Sequence, residues 1–376
     1  MPYTLRFRNP PKQEALLLHA PKSRYELTEI PLPSLNSPDE VLIRIEAIGL
    51  NPVDWKSADF GFGLPTLPAL CGRDYAGTIV KVGSRVQRWQ PGDRVFGPST
   101  AYRDYRTSAF QQYAVASEHC LGTVPDDVSV EQCAALGVGA VAAALVLGSA
   151  LGIAIRGFAP RTWAIGAEGE SPEWIKLSGT DSPISTPQVH LGEYLLIWGG
   201  STVTGFLIAQ LAHIAGLRVI AVADKSKHDA RLRALGISHI VDRSDPKLAV
   251  QQVRDITQGQ LRYAVDCVGR QTAEFAMQTL SDLEREVFLV GLSGLPGQSP
   301  RNVRLCDVPI KTFHTNAAVG NGLMRLLEDL IASKELVLPP IEIVGGGLEA
   351  VNGALDRMRS GNHSFGRLVV KMGNAS

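Results

Sequence analysis

The chain has 376 residues, a length that suits roughly two domains. Its 37 lysines and arginines balance 37 aspartates and glutamates, which argues against nucleic-acid binding by counterion release and against a polybasic membrane-surface role. Hydrophobic residues make up 45% of the chain at zero formal charge, and this is not the composition of a disordered protein.

Five cysteines (Cys71, Cys120, Cys133, Cys267 and Cys306) are widely spaced, with no pair at metal-ligand spacing. Neither a disulfide scaffold nor a metal site is expected. The opening MPYTLRFRNPPKQ has no apolar core of a secretion signal and the closing KMGNAS no retention tag. A reducing, cytoplasmic setting fits these features.

In chain order, the first 120 residues read as short strands. EVLIRIEAIG (Glu40–Gly49), AGTIVKVGSRV (Ala76–Val86), RVFGP (Arg94–Pro98) and FQQYAVAS (Phe110–Ser117) are separated by turn clusters such as QPGDR, which suggests an irregular β-rich domain. From Cys133 to Ile155 only Ser149 is polar. That run is long enough to span a membrane. Its alanine and glycine content predicts instead a buried helix pair at a domain junction. Arg156–Pro187 is rich in Pro, Ser and Thr without periodicity and reads as a long surface loop.

From Glu193 strands and helices alternate. Strands EYLLIW, RVIAVAD (Arg218–Asp224), HIVD, RYAVDCVG (Arg262–Gly269) and EVFLVGLSG (Glu286–Gly294) are interleaved with helical segments, the pattern of a doubly wound parallel sheet. A helix over Gly322–Leu336, a strand IEIV, a helix EAVNGALDRMRSG and a strand GRLVVKM close the chain. The expected division is 1–140 with 318–376 as one domain and 141–317 as the other, the latter carrying the long loop 156–187.

The first of the alternating strands runs into Gly199-Gly200-Ser201-Thr202-Val203-Thr204-Gly205 and then a helix. Such a strand–turn–helix suits a pyrophosphate, because backbone N–H groups and the positive helix end face the anion. The second strand ends in Asp224-Lys225-Ser226-Lys227-His228, and Arg243 follows the third. Cations and a serine favour the 2′-phosphate of NADP, whereas Asp224 is the residue type of an NAD site.

Taken together, the chain resembles the medium-chain dehydrogenase/reductase superfamily over nearly its whole length. The resemblance is carried by IEAIGLNPVDWK, GRDYAGTIVKVGSRVQRWQPGDRVFG, WGGSTVTG, VDCVG and GRLVV. It implies an α/β fold with a GroES-like β-rich catalytic domain and a Rossmann domain. Zinc-dependent members carry a ligating Cys where this chain has Asn51, and a His where Gly72-Arg73-Asp74 has Arg73. Asn and Arg cannot replace a thiolate and an imidazole, so the chain is similar to the zinc-free quinone oxidoreductases and enoyl reductases. Within that branch it resembles fungal enoyl reductases that act in trans on polyketide synthases, of the lovastatin-pathway type. The carriers are Asn51–Lys56, the Ser201–Thr204 turn and Leu261–Cys267.

The resemblance implies NADPH as cofactor. Val53, Asp54, Trp55 and Lys56 would lie beside the nicotinamide, with Leu292 and Ser293 facing it. Gly200, Ser201, Thr202, Val203 and Thr204 would hold the phosphates. Lys225, Ser226, Lys227, His228 and Arg243 would bracket the adenosine phosphate. Cys267 would sit close to the cofactor, and Arg367 and Leu368 would close over it. Gly137, Val138, Gly139, Ala140, Val141, Ala142, Ala143 and Ala144 would line the substrate cleft.

The implied reaction is hydride transfer to the C=C of an α,β-unsaturated carbonyl or thioester. Lys56 and Tyr75 are the candidate donors, with water as an alternative. A carrier-protein-bound substrate and a synthase partner would call for a basic rim, for which Arg103, Arg106 and Arg156 are candidates. A quinone or alkenal reductase on small free substrates, an NADP-binding protein without turnover and a redox-silent cyclase share these motifs. Relatives of both kinds leave monomer and homodimer open.

Overall fold

A computed structural model describes residues 11–64, 66–159, 191–282, 285–362 and 366–373. The chain forms two compact units, Met1–Gly137 with Ile341–Ser376, and Val138–Pro340.

The first unit is β-rich, as its alternating runs predict. Its larger sheet orders the strands Ile341–Val344, Arg367–Lys371, Glu40–Gly49, Asp74–Val82, Arg94–Pro98 and Gly122–Thr123, and Tyr113–Ser117 also pairs with Glu40–Gly49. A smaller sheet joins Glu26–Pro31, Lys12–Leu18 and Ala69–Leu70. The strands Lys12–Leu18 and Glu26–Pro31 were not expected from the sequence. Leu16, Ile43, Ile45, Ile48, Tyr75, Ile79, Phe110 and Val370 share the core. The helix Pro52–Phe60 was also unexpected, because its inward residues are Asp54, Ser57 and Ala58 rather than an apolar stripe. The signal that was there is Asn51 at the cap with Asp54 three residues on, followed by Pro52 at the first helical position.

The second unit holds a six-stranded, wholly parallel sheet. Its order is His239–Asp242, Arg218–Ala223, Tyr194–Trp198, Tyr263–Asp266, Val287–Gly291, Val303–Cys306. In chain order that is 3-2-1-4-5-6, the order of dinucleotide-binding sheets. Five strands are those expected, and the sixth, Val303–Cys306, was not.

The apolar run breaks into the helix Val130–Ala134, the helix Gly137–Leu145 and a wide π-turn over Val146–Ala150. No helix among the described residues is long and apolar enough to cross a membrane. The boundary between units falls within this run, at Gly137/Val138. The return to the first unit begins at Ile341 rather than 318, so the helix Ala317–Ala332 belongs to the second unit. Its apolar stripe (Val319, Leu323, Leu327, Leu330) reads the same whichever unit it serves. The expected loop 156–187 lies outside the described residues from 160 onward.

Candidate functional site

The Gly199–Gly205 turn leaves the sheet between its first and fourth strands, where the strand order reverses. Open α/β sheets bind ligands at that point. Gly199 has φ +88°, a left-handed conformation. A Cβ on Gly200 would lie 2.7 Å from the Ala221 Cβ, and one on Gly205 would lie 2.3 Å from the Gly199 carbonyl oxygen. The turn is therefore as tight as backbone permits. Thr202 caps the helix Val203–Ile214. Its Oγ1 accepts from the Gly205 N–H at 3.0 Å and donates to the Gly199 carbonyl at 2.9 Å. Thr202 is thus committed to the fold, whereas the half-buried Ser201 and Thr204 carry hydroxyls without a partner among the described residues.

Along the same edge, the Cys267 N–H donates to the Trp198 carbonyl and the Leu292 N–H to the Asp266 carbonyl, both at 2.9 Å. Asp266 accepts from the Val268 and Gly269 N–H groups at 2.9 and 2.7 Å. Burial pushes the Cys267 thiol well above its ordinary range, so it is an inert neighbour rather than a nucleophile. The sheet thus brings Gly199–Thr204, Cys267, Leu292 and Ser293 to one edge.

Asp224 caps the next helix, Lys225–Ala234. Its carboxylate accepts from the Ser226 hydroxyl at 2.7 Å and pairs with Lys227 at 3.3 Å and Arg243 at 3.8 Å. These bonds hold the Asp224 carboxyl below its usual range, the Ser226 hydroxyl first among them. Lys225, Ser226, Lys227 and Arg243 are exposed, and His228 is half-buried. Burial lowers the His228 imidazole, which favours its neutral form. The acid that pointed to NAD is thus engaged by the cations that point to NADP.

The first unit gathers charge in its interior. Asn51, Asp54, Arg73, Asp74 and Arg367 are all buried. The Asn51 N–H donates to Asp54 Oδ2 at 2.7 Å, and the Asn51 amide donates to Asp74 Oδ2 at 2.8 Å. Arg367 Nη1 donates to Asn51 Oδ1, donates to the Leu50 carbonyl at 3.2 Å and lies 3.3 Å from Asp74 Oδ2. Burial pushes the Asp54 carboxyl up to about 7, with Asp74 adding to the shift and Asn51, Arg73 and Arg367 opposing it. Arg73 stacks over the Tyr102 ring at 4.0 Å. Gly137 closes this cluster: a Cβ there would lie 2.0 Å from the Asp74 Cγ.

Residues 37–150 match the family model of the alcohol dehydrogenase GroES-like domain, and 204–325 that of the zinc-binding dehydrogenases. A dehydrogenase of Monascus pilosus, mokE, is 30% identical over 98% of this chain and all of its own length. The chain belongs to the medium-chain dehydrogenase/reductase superfamily. It is an oxidoreductase of that superfamily. The trans-enoyl reductase himH of Aspergillus japonicus is 30% identical over 86% of each chain. The crystal structure of CurK enoyl reductase superposes with a TM-score of 0.74 at 17% identity, covering 96% of this chain and 99% of that one.

Set against this family's expectations, several residues fall elsewhere. Arg367, which the resemblance sets over the cofactor, has its guanidinium tied to Asn51 inside the first unit, and Leu368 is in the same unit's core. Tyr75 was a candidate donor. Side chains alternate along a strand, so while Asp74 turns to Asn51 and Arg367, Tyr75 turns into the apolar core. Burial there raises its phenol far above the usual range, which makes it a poor proton donor. Of the proposed cleft lining, Gly137 is packed on Asp74, and Gly139, Ala140, Val141, Ala143 and Ala144 are buried. Val138 is half-buried and Ala142 is 7% exposed; these two share a helix face.

Lys56, by contrast, is half-buried beside Val53 and Trp55. Its Nζ lies 5.8 Å from the Trp55 ring and makes no ion pair among the described residues. Of the basic-rim candidates, Arg106 is bound to Glu40 at 3.0 Å and to Asp104 at 2.6 Å, and Arg156 is paired with Glu335. Arg103 remains exposed.

Proposed function

We propose that this protein is an NADPH-dependent enoyl reductase that saturates the C=C bond of an α,β-unsaturated thioester, acting in trans on a polyketide synthase from the cytosol. The carrying observation is the buried Asn51–Asp74–Arg367 network. Where zinc-dependent relatives need thiolate and imidazole ligands, this chain has an amide and a guanidinium, with Arg367 as the nearby fixed cation. Lewis-acid polarisation of an alcohol oxygen is not available to such a residue set. An enoyl thioester asks for less, since its own carbonyl accepts the charge.

The chain's residues fit the cofactor. The turn Gly199–Thr204 offers backbone N–H groups, a helix N-terminus and two hydroxyls, unpartnered among the described residues, to a pyrophosphate. Lys225, Lys227 and Arg243 gather beside Asp224 and the Ser226 hydroxyl, and so suit a 2′-phosphate. When bound, NADPH supplies the hydride that adds at the substrate β-carbon. The π pair then shifts to the carbonyl oxygen as an enolate, and a proton returns to the α-carbon. Lys56, the unpaired amine of helix Pro52–Phe60, is assigned as its donor. Catalysis is otherwise positioning and exclusion of water.

The test follows absorbance at 340 nm with NADPH or NADH against crotonyl and longer enoyl thioesters, with a simple quinone as control. Thioester-dependent NADPH oxidation supports the proposal. Turnover of quinones or free enones alone overturns it in favour of a small-molecule reductase. That second reading has one observation behind it: Arg106 and Arg156, two of three expected carrier contacts, are already paired within the protein.

A further inference from the structure

Among the buried charges of the first unit, Arg73 stands apart. Arg367 has Asp74 and Asn51 as partners. Arg73 is 2% exposed, yet its Nε and Nη1 have no hydrogen-bond partner among the described residues, and it makes no ion pair there. Asp54 Oδ1, in the same cluster, is also without a partner. An enclosed guanidinium normally keeps its N–H groups bonded, because an unpaired buried charge is strongly destabilising. One face of this guanidinium is covered by the half-buried Tyr102 ring at 4.0 Å. A stacked guanidinium keeps its N–H edge for an in-plane oxygen. The residue preceding it, Gly72, is held at φ +85° against Phe110, so the backbone fixes where Arg73 begins.

We infer that Arg73 is the electrophile of the reaction, one of its two unpartnered groups, Nη1, donating to the carbonyl oxygen of the α,β-unsaturated substrate. This rests on the enoyl-reductase reading and adds to it the group that holds the oxygen. As hydride adds at the β-carbon, the oxygen gains the charge of the enolate, and a preformed guanidinium bonds it more strongly than it bonds the ground-state carbonyl. Arg73 carries no proton to carbon; that step stays with Lys56. Tyr102 is a positioning residue that keeps the guanidinium plane from turning.

The experiment compares wild type with Arg73→Gln and Arg73→Lys in three readouts: steady-state kinetics, NADPH affinity by fluorescence, and the carbonyl stretch of bound butyryl thioester by infrared difference spectroscopy. Loss of one oxyanion donor lowers kcat by about 10²–10³-fold, and that is the drop expected for Arg73→Gln, with NADPH affinity changed less than about twofold and the downshift of the carbonyl band abolished. Arg73→Lys, which keeps the charge and serves if the glutamine variant does not fold, retains part of the band shift and a smaller kcat loss. Wild-type turnover with unchanged kcat and band position in the variants overturns the inference and leaves the enoyl-reductase reading intact. A shifted band without wild-type turnover keeps Arg73 as an oxygen-binding residue and overturns the reading. An unshifted wild-type band shows that Arg73 bonds only enclosed water and overturns the inference.

Discussion

The two units prepare for a ligand in opposite ways. In the second unit the Gly199–Gly205 turn is built from backbone. Its close contacts are between main-chain atoms or with the Ala221 and Val268 methyls, and its capping hydroxyl is spent on the fold. In the first unit the corresponding preparation is side-chain charge: two arginines, two aspartates and an amide, drawn from three separate stretches of chain into an apolar surround. A backbone device is cheap to bury once its N–H groups face a ligand. A charge device costs several kcal/mol per ion unless each partner is in place, so it is brittle, and its brittleness is measurable.

The largest effect should come from cutting the charge device at its hub. Arg367→Met leaves Asp74 buried without its cation and should cost about 3–5 kcal/mol in urea unfolding. The double variant Arg367→Met/Asp74→Asn should recover a good part of this loss. If the double variant is no better than the single, the network is not a charge balance and the contrast between the units fails.

In the backbone device, Gly205→Ala forces a methyl to 2.3 Å from the Gly199 oxygen and should cost about 1–3 kcal/mol. It should also weaken NADPH binding at least tenfold by fluorescence titration, whereas Arg367→Met should weaken it much less. Equal losses of NADPH affinity in both would erase the distinction.

Asp54 sharpens the comparison through pH. Its folded-state pKa is raised to about 7, so the folded chain holds that proton more tightly than the unfolded chain does. The stabilisation is complete below the ordinary carboxyl range, is lost as pH rises through about 7, and is flat above. The groups facing Asp54 are the Asn51 N–H, Asp74, Arg73 and Arg367, with Tyr25, Cys71 and Tyr102 also interacting with it. Asp54→Asn, which keeps an oxygen for the Asn51 N–H, should gain on wild type by on the order of 2 kcal/mol between pH 5 and 8. Unfolding midpoints at those two pH values check the sign. The smallest effect belongs to Thr202→Ala, a lost helix cap worth about 1 kcal/mol, read as a modest drop in thermal midpoint.

How legible each unit was in the sequence follows the same division. Backbone devices leave local signatures. The glycines at 199, 200 and 205, the strand before them and the alternation after them were readable, and so were five of six parallel strands. Side-chain convergence leaves none. Nothing adjacent to Arg367 marks Asn51 as its partner. The helix Pro52–Phe60 escaped because it turns Asp54 and Ser57, not leucines, inward. Tyr75 was avoidable: strand alternation alone puts it on the face opposite Asp74.

The strand Arg367–Lys371 pairs with Ala47–Gly49, and the Arg367–Asn51 bond joins residues 316 positions apart. The second unit is one unbroken stretch of chain inserted between them. On a ribosome, the inserted sheet therefore has every strand it needs while Ala47–Gly49, already paired on one edge with Asp74–Ala76, still lacks the partner on its other edge. Asp74 waits for its cation over the same interval. Contacts of such long range form slowly, and exposed strand edges invite wrong partners. The last strand and its arginine thus complete the β-rich unit only after the nucleotide-type sheet has been made, closing both the sheet edge and the charge balance beneath it.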